Sequence, residues 1–348
     1  MAANRDTIII GAGLMGLAIA RQLHAGGMQP LVLERARAGS AASWAGAGML
    51  AARQMDPASP LRPLALASAE DYPEFVRELE REVGTSVDYR PCGSLVVGSG
   101  EGDALAGAAL RAAEPALADE ITSAALVADH CVDNRRLVAA LAEAVRLRGI
   151  PLIEHCAVRG ATAAGGGGWE VATEGGPRFQ AAHLIIAAGA WSGGLAVAGV
   201  RPRKGQMLAL AAPAGLLRHV IVAPGVYLVP REDGRIVVGA TVEEAGFDTT
   251  VEPAAIARLR TAAIAVAPAL AGCEAIETWA GLRPGSHDDL PYLGAIPGAP
   301  GLWAATGHFR DGILLTPITA RVIADLVTGR EPRLDLAAFA PARYQPPL

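Results

Sequence analysis

A glycine-rich turn near the N-terminus restricts the fold more than any other feature. Gly11-x-Gly13-x-x-Gly16 follows the apolar run Thr7-Ile8-Ile9-Ile10 and precedes the alanine-containing stretch from Leu17 to Ala25; Glu34 then closes a second apolar run, Leu31-Val32-Leu33. Each position has a physical task. Gly11 permits a tight turn, Gly13 lets backbone approach a pyrophosphate, Gly16 allows a helix to lie close against a strand, and Glu34 offers acceptors to a ribose hydroxyl. A glycine triplet alone could be a helix-packing turn. With strand, helix and acid all in order, it predicts a βαβ unit that binds a dinucleotide.

The rest of the chain predicts an α/β protein of two domains. Its 348 residues suffice for a large core, and 51% hydrophobic against 19% charged residues with mean hydropathy +0.31 excludes a disordered chain. Amphipathic or apolar helices are expected over Pro63 to Val83, Asn134 to Arg148, Pro253 to Val266 and Ile313 to Val327. Leu184 to Ala188 reads as a central parallel strand, and Gly165 to Gly168 as a hairpin tip. From Arg201 to about Thr250 short strands alternate with turns, the signature of an antiparallel sheet. The expected organisation is a discontinuous nucleotide-binding domain with a mostly parallel, Rossmann-like sheet (1–85, 135–200 and 280–348). An antiparallel substrate domain takes 86–134 and 201–279.

A net charge of −5 gives no reason to expect nucleic acid or an anionic membrane as partner. Polar Asn4, Arg5 and Asp6 run straight into the first strand without a leader pattern, and Leu184 to Val200 is interrupted by glycines, so a cytoplasmic protein outside the membrane is expected. Cys92, Cys131, Cys156 and Cys273 have no metal-ligand or redox spacing. They read as free thiols, and no metal site is expected.

Several segments could carry chemistry. In Ser43 to Leu50, small residues would let backbone run along an extended cofactor; an ordinary flexible loop explains the same residues equally well. Arg283 sits in what reads as a turn, Gly281-Leu282-Arg283-Pro284. Arg310 sits in another, Gly307-His308-Phe309-Arg310-Asp311-Gly312, ahead of a helix whose N-terminal end is positive. A guanidinium there could fix a carboxylate. Tyr227 alternates with apolar neighbours and reads by default as core. His308 and Asp311 can both simply shape the turn, Ser286 to Asp289 reads as a polar loop, and Lys204 as a turn residue near the domain boundary.

Together these segments resemble the D-amino acid oxidase family of FAD enzymes, and within it the glycine oxidases associated with thiamine biosynthesis. The resemblance runs over almost the whole chain: GAGLMG with Glu34, SWAGAGML from Ser43, AAGAWS from Ala187, YLVPR from Tyr227, GATVE from Gly239, GLRP from Gly281 and ATGHFRDGILLTP from Ala305. It implies non-covalent FAD, because no cysteine stands at the flavin-linking position of the related sarcosine oxidases. By motif, FAD contacts fall on Gly11, Ala12, Gly13, Leu14, Met15, Gly16, Glu34 and Arg35, then on Ser43, Trp44, Ala47, Gly48, Met49 and Val158. Ala188, Gly189, Trp191, Arg310, Asp311, Gly312, Ile313 and Leu314 complete them. Arg283, Arg310 and Tyr227 would hold a substrate carboxylate.

The implied reaction is oxidative deamination of glycine, sarcosine or a small D-amino acid by hydride transfer to flavin, with no side chain needed as acid or base and molecular oxygen taking the electrons. Thiazole synthase and a second copy of the chain are partners compatible with that reading. A D-amino acid dehydrogenase using a quinone or protein acceptor, and a flavin-binding subunit of a larger complex, are the alternatives. Two departures bear on substrate scope. Asp311 stands where the family turn has asparagine, and GSHDDLPYLG from Gly285 replaces a shorter polar turn.

Overall fold

The computed structural model describes residues 5–98, 102–197 and 199–344. Its centre is the strand Arg5–Ile10, whose last four residues are buried on both faces as a central parallel strand requires. It pairs in parallel with Pro30–Leu33 on one side and Arg178–Ile186 on the other, Ile10 standing opposite Leu33 and Ile186. The sheet extends in parallel to Leu152–Ile153 and Leu302–Thr306 and closes with the antiparallel edge strand Tyr292–Ala295.

Alternate side chains of these strands feed two apolar cores. Ile9, Val32 and Ile185 meet the helices Leu14–Ala25, Arg62–Val83, Asn134–Leu147 and Thr316–Val327. Ile8, Ile10, Leu184 and Ile186 meet the hairpin of Val158–Ala163 and Trp169–Thr173. The close approach of the first helix depends on Gly16, where an added Cβ would lie 1.8 Å from the Gly11 carbonyl oxygen. Asp133 caps the helix Asn134–Leu147 by accepting from the N–H groups of Arg135 and Arg136 at 2.9 and 3.2 Å. Its apolar stripe is buried except for Leu147, which at the last position faces water.

The second sheet runs in the order Glu274–Gly285, Arg201–Ala211, Arg235–Gly239, Val226–Pro230, Val220–Ala223, Ser94–Val97, Ser123–Val127 and Asp103–Ala106. It is antiparallel apart from one parallel pairing, Val220–Ala223 with Ser94–Val97, and the helix Pro253–Val266 helps cover one face. Among the described residues no helix is long and apolar enough to cross a membrane, and no three His, Cys, Asp or Glu side chains cluster to hold a metal.

Three local expectations differ from the structure. Gly281–Pro284 is not a turn but part of the 12-residue strand Glu274–Gly285, paired from Ala211↔Glu274 to Arg201↔Gly285. An edge strand tolerates the missing N–H of Pro284, so the proline does not break it. Lys204 is not in a turn either. It lies in the strand Arg201–Ala211, 1% exposed, its ammonium 3.7 Å from Glu243 and 3.6 Å from Asp248. The last helix begins at Thr316, with Pro317 in its first turn, leaving Gly312–Leu315 as turn.

Candidate functional site

A cavity of about 1490 Å³ lies between the two sheets, at the carboxyl ends of Arg5–Ile10, Pro30–Leu33, Arg178–Ile186 and Leu302–Thr306. Gly11, with φ at +107°, turns so tightly that a Cβ would stand 2.4 Å from the Ala187 carbonyl oxygen. Gly13 occupies the N-cap of the first helix in an extended conformation, without a side-chain cap. That positive helix end faces the cavity and suits a phosphate. Glu34 is fixed by accepting from the N–H groups of Ala12 and Ala36 at 2.8 and 2.9 Å; its remaining lone pairs suit a hydroxyl donor.

The stretch from Ser43 to Met49 is not a free loop. Asn134 donates to the carbonyls of Ser43 and Trp44 at 2.8 and 2.9 Å, the Trp279 indole to Ala45 at 2.9 Å, Arg231 to Ala47 at 2.7 Å, and the Val132 N–H to Gly48 at 2.9 Å. Arg135 lies 3.7 Å over the Trp44 ring and pairs with Glu277 at 2.8 Å. With its carbonyls held this way, the stretch is a rigid wall of the cavity. Asn134→Ala removes two of these bonds, each contributing about 0.5–1.5 kcal/mol, and is expected to weaken retention of a bound cofactor roughly tenfold. The cofactor released on dialysis measures it.

The Arg310 turn is shaped by left-handed backbone at Gly307, φ +79°, and Phe309, φ +45°. Ser68 and Tyr72, one turn apart on the helix Arg62–Val83, donate to the carbonyls of Leu314 and Ile313 at 2.7 and 3.0 Å and hold the following residues from behind. His308 is buried with Nε2 3.0 Å from the Thr319 hydroxyl, and burial pushes its pKa down to about 3. It stays neutral and shapes the turn.

Tyr227 and Arg283 approach from the second sheet. Both need a facing glycine: a Cβ at Gly239 would stand 2.4 Å from the Tyr227 ring, and one at Gly205 2.1 Å from the Arg283 guanidinium. Arg283 donates to the Thr241 carbonyl at 3.2 Å and to the Tyr227 hydroxyl. Burial pushes the Tyr227 pKa up, opposed by the charges of Arg283 and Arg310, so the phenol keeps its proton. Among the described residues neither guanidinium forms an ion pair with a carboxylate. Two guanidiniums without a carboxylate ion pair and a phenol therefore line the cavity, a set that matches a small carboxylate.

Asp311 lines the same cavity, and burial pushes its carboxyl up to about 6 against the opposing pull of Arg310. The folded chain therefore holds a proton that the unfolded chain releases near pH 4. Stability tied to the neutral acid is fully present below that pH and is lost as pH rises through about 6. The Tm advantage of Asp311→Asn over the parent is expected to grow between about pH 4 and 7. Thermal melts across that range check it.

Nearly every residue expected at the site borders the cavity: Gly11, Gly13, Leu14 and Met15; Glu34 and Arg35; Ser43, Trp44, Ala47, Gly48 and Met49; Val158; Ala188, Gly189 and Trp191; Tyr227, Arg283, and Arg310 to Ile313. Ala12, Gly16 and Leu314 stand behind that wall. Ala12 anchors Glu34, Gly16 seats the helix, and Leu314 is gripped by Ser68. The supports Asn134, Arg231, Trp279, Ser68 and Tyr72 were not expected. Only Arg231 carried a sequence signal, as the last residue of YLVPR.

Residues 6–326 match a family described as FAD dependent oxidoreductase, DAO. A glycine oxidase of Pseudomonas aeruginosa is 36% identical over 370 residues, covering 97% of this chain and 99% of that protein. The bifunctional protein ThiO/ThiG of Synechocystis is 39% identical over 362 residues; the match covers 99% of this chain but only 55% of that protein. The crystal structure of glycine oxidase from Geobacillus kaustophilus superposes with a TM-score of 0.93 at 32% identity, covering 98% of this chain and 99% of that one.

Proposed function

Because the chain belongs to the DAO family of FAD-dependent oxidoreductases, we propose that it oxidises the carbon–nitrogen bond of a small amino acid, with glycine, sarcosine and small D-amino acids as the substrate class. The observation that carries this reading is the convergence of Arg283, Arg310 and Tyr227 on the glycine-lined cavity, where Asp311 is the acid that acts on Arg310 and burial favours its neutral form. The relatives named glycine oxidase support the choice of substrate.

The cavity fits FAD: Gly11 and Gly13 leave room for backbone to approach a pyrophosphate, and the positive helix end, where the Leu14 N–H donates to the Ser43 hydroxyl at 3.0 Å, suits its charge. Glu34, Arg35 and Val158 would take the adenosine end; the Ser43–Met49 wall with Ala188, Gly189 and Trp191 would take the middle; and Asp311 to Leu314 would approach the ring. Bound FAD supplies the acceptor for the substrate's α-hydrogen and its electron pair. Arg283 and Arg310 hold the carboxylate and Tyr227 adds a hydrogen bond, which turns the α-carbon toward the ring. No side chain has to move a proton, since the amine reacts as its neutral form and His308 is committed to Thr319. The imine is then hydrolysed in water to a 2-oxo acid and ammonia.

Molecular oxygen is the proposed electron acceptor, with hydrogen peroxide as product. A reducing, cytoplasmic setting suits the four free thiols. The two-part relatives named ThiO/ThiG support thiazole synthase as a partner, and self-association into a homo-oligomer completes the reading. Purified holoenzyme given glycine in air is expected to form peroxide and ammonia in equal amounts. Turnover without peroxide would replace oxygen with another acceptor, and absence of ammonia would end the deamination reading.

A further inference from the structure

The spacing of the four cysteines pairs none of them, but the fold brings two together: the Sγ atoms of Cys92 and Cys131 are 3.4 Å apart. Cys131 is fully buried and held on two sides. Its backbone exchanges hydrogen bonds with Arg90 at 3.0 and 2.8 Å, and it pairs with Met49 of the cavity wall. Cys92 is half-buried, in a short segment that ends at Gly93 with φ +74°. Cys131 belongs to the apolar cluster of Ala45, Ala47 and Met207, against which Cys92 and Tyr227 pack; Ala45, Ala47, Met207 and Tyr227 also line the candidate active site.

Their surroundings divide the roles. The hydrogen bond from Cys131 and the charge of Arg90, whose Nη2 is 3.7 Å from Cys131 Sγ, bring the Cys92 thiol down to about 7 against the effect of burial. The same contact and burial push Cys131 well up. Cys92 is thus the sulfur that solvent can reach, with its thiolate the favoured one of the pair, and Cys131 is the buried thiol in contact with it.

We propose that Cys92 and Cys131 form a peroxide-reactive dithiol site, Cys92 as the attacking sulfur and Cys131 as the resolving one. The Cys92 thiolate attacks one oxygen of hydrogen peroxide, the O–O bond breaks, and hydroxide leaves, giving a sulfenic acid. Cys131 then attacks Cys92 Sγ, the S–O bond breaks, the oxygen leaves as water with the Cys131 proton, and the S–S bond forms. Two thiols lose two protons and two electrons in all, and the peroxide becomes two waters. The sulfurs must close from 3.4 Å to about 2.05 Å. Cys92 is the side that must move, because the Cys131 backbone is held by Arg90 on one side and Met49 on the other.

The reactivity of the pair stands on the sulfur contact and the unequal exposure of the two thiols; that turnover supplies the peroxide rests on the oxidase reading above. Holoenzyme is treated with hydrogen peroxide, alkylated, digested and analysed by mass spectrometry. The expected product is a Cys92–Cys131 peptide pair lacking two hydrogens and restored by dithiothreitol. In Cys131→Ser, Cys92 should be trapped by dimedone and proceed to the sulfinic acid, while in Cys92→Ser residue Cys131 should stay reduced. If wild-type Cys92 and Cys131 remain alkylatable as Cys156 does, or if Cys131 oxidises equally fast in Cys92→Ser, the proposal is overturned. In a second arm, glycine turnover in air should form the same cross-link and catalase should suppress it. A cross-link with added peroxide but none during turnover would refute the internal source and leave the dithiol site standing.

Discussion

Arg310→Ala is expected to raise KM for glycine and sarcosine about 10–10²-fold, with flavin still bound, because a charge-assisted carboxylate contact contributes about 1.5–3 kcal/mol. Arg310 is the cleaner of the two arginines to test. Its side chain is exposed in the cavity and its neighbour is the Phe309 ring at 5.1 Å, whereas Arg283 also holds the Thr241 carbonyl. Arg283→Ala should therefore raise KM and also loosen the segment after Gly239. The double variant should cost less than the sum, because both guanidiniums serve one carboxylate. Steady-state kinetics with the visible flavin spectrum checks each; an unchanged KM in Arg310→Ala would remove the carboxylate role.

The second large effect concerns backbone. Gly48→Ala places a Cβ 1.9 Å from the Val132 carbonyl oxygen at a φ of +75°, and Gly16→Ala places one 1.8 Å from the Gly11 carbonyl oxygen. Neither neighbour is a flexible side chain, so the wall or the first helix must shift. Both variants are expected to lose more than about 90% of their bound flavin or to fail to accumulate as folded protein, by the several kcal/mol that backbone overlap costs. Gly27→Ala is the control. Its φ is also positive, at +89°, but nothing lies within 4 Å, so it should lose about 1 kcal/mol and keep its flavin. The flavin-to-protein ratio after purification, together with a thermal melt, separates the cases.

What could be read from the sequence was local. The strand, glycines, helix and Glu34 declare themselves within about thirty residues, and the helix Asn134–Leu147 shows its apolar stripe. Arg310 was legible because glycines bracket it. Arg283 was assigned to a turn because glycine and proline flank it; only the edge position of its strand, set by residues some eighty positions away, makes the proline harmless. Ser43 to Leu50 fitted two readings, and the difference lies in Asn134, Arg231 and Trp279, whose bonds to that stretch span long sequence distances. Lys204 read as a turn residue because the segments it pairs with, at Leu282 and Glu243, are distant in sequence. The Cys92 and Cys131 pair was hidden for the same reason.

The most direct test of the proposed chemistry is to mix holoenzyme anaerobically with glycine, sarcosine, D-alanine, D-proline and a larger D-amino acid and to follow flavin absorbance. Rapid bleaching by one or more of the small substrates, with a much weaker response to the larger one and a loss of saturation at low substrate in Arg310→Ala, is the expected result. A flavin that stays oxidised with every amine, in protein shown to hold FAD, would contradict the account.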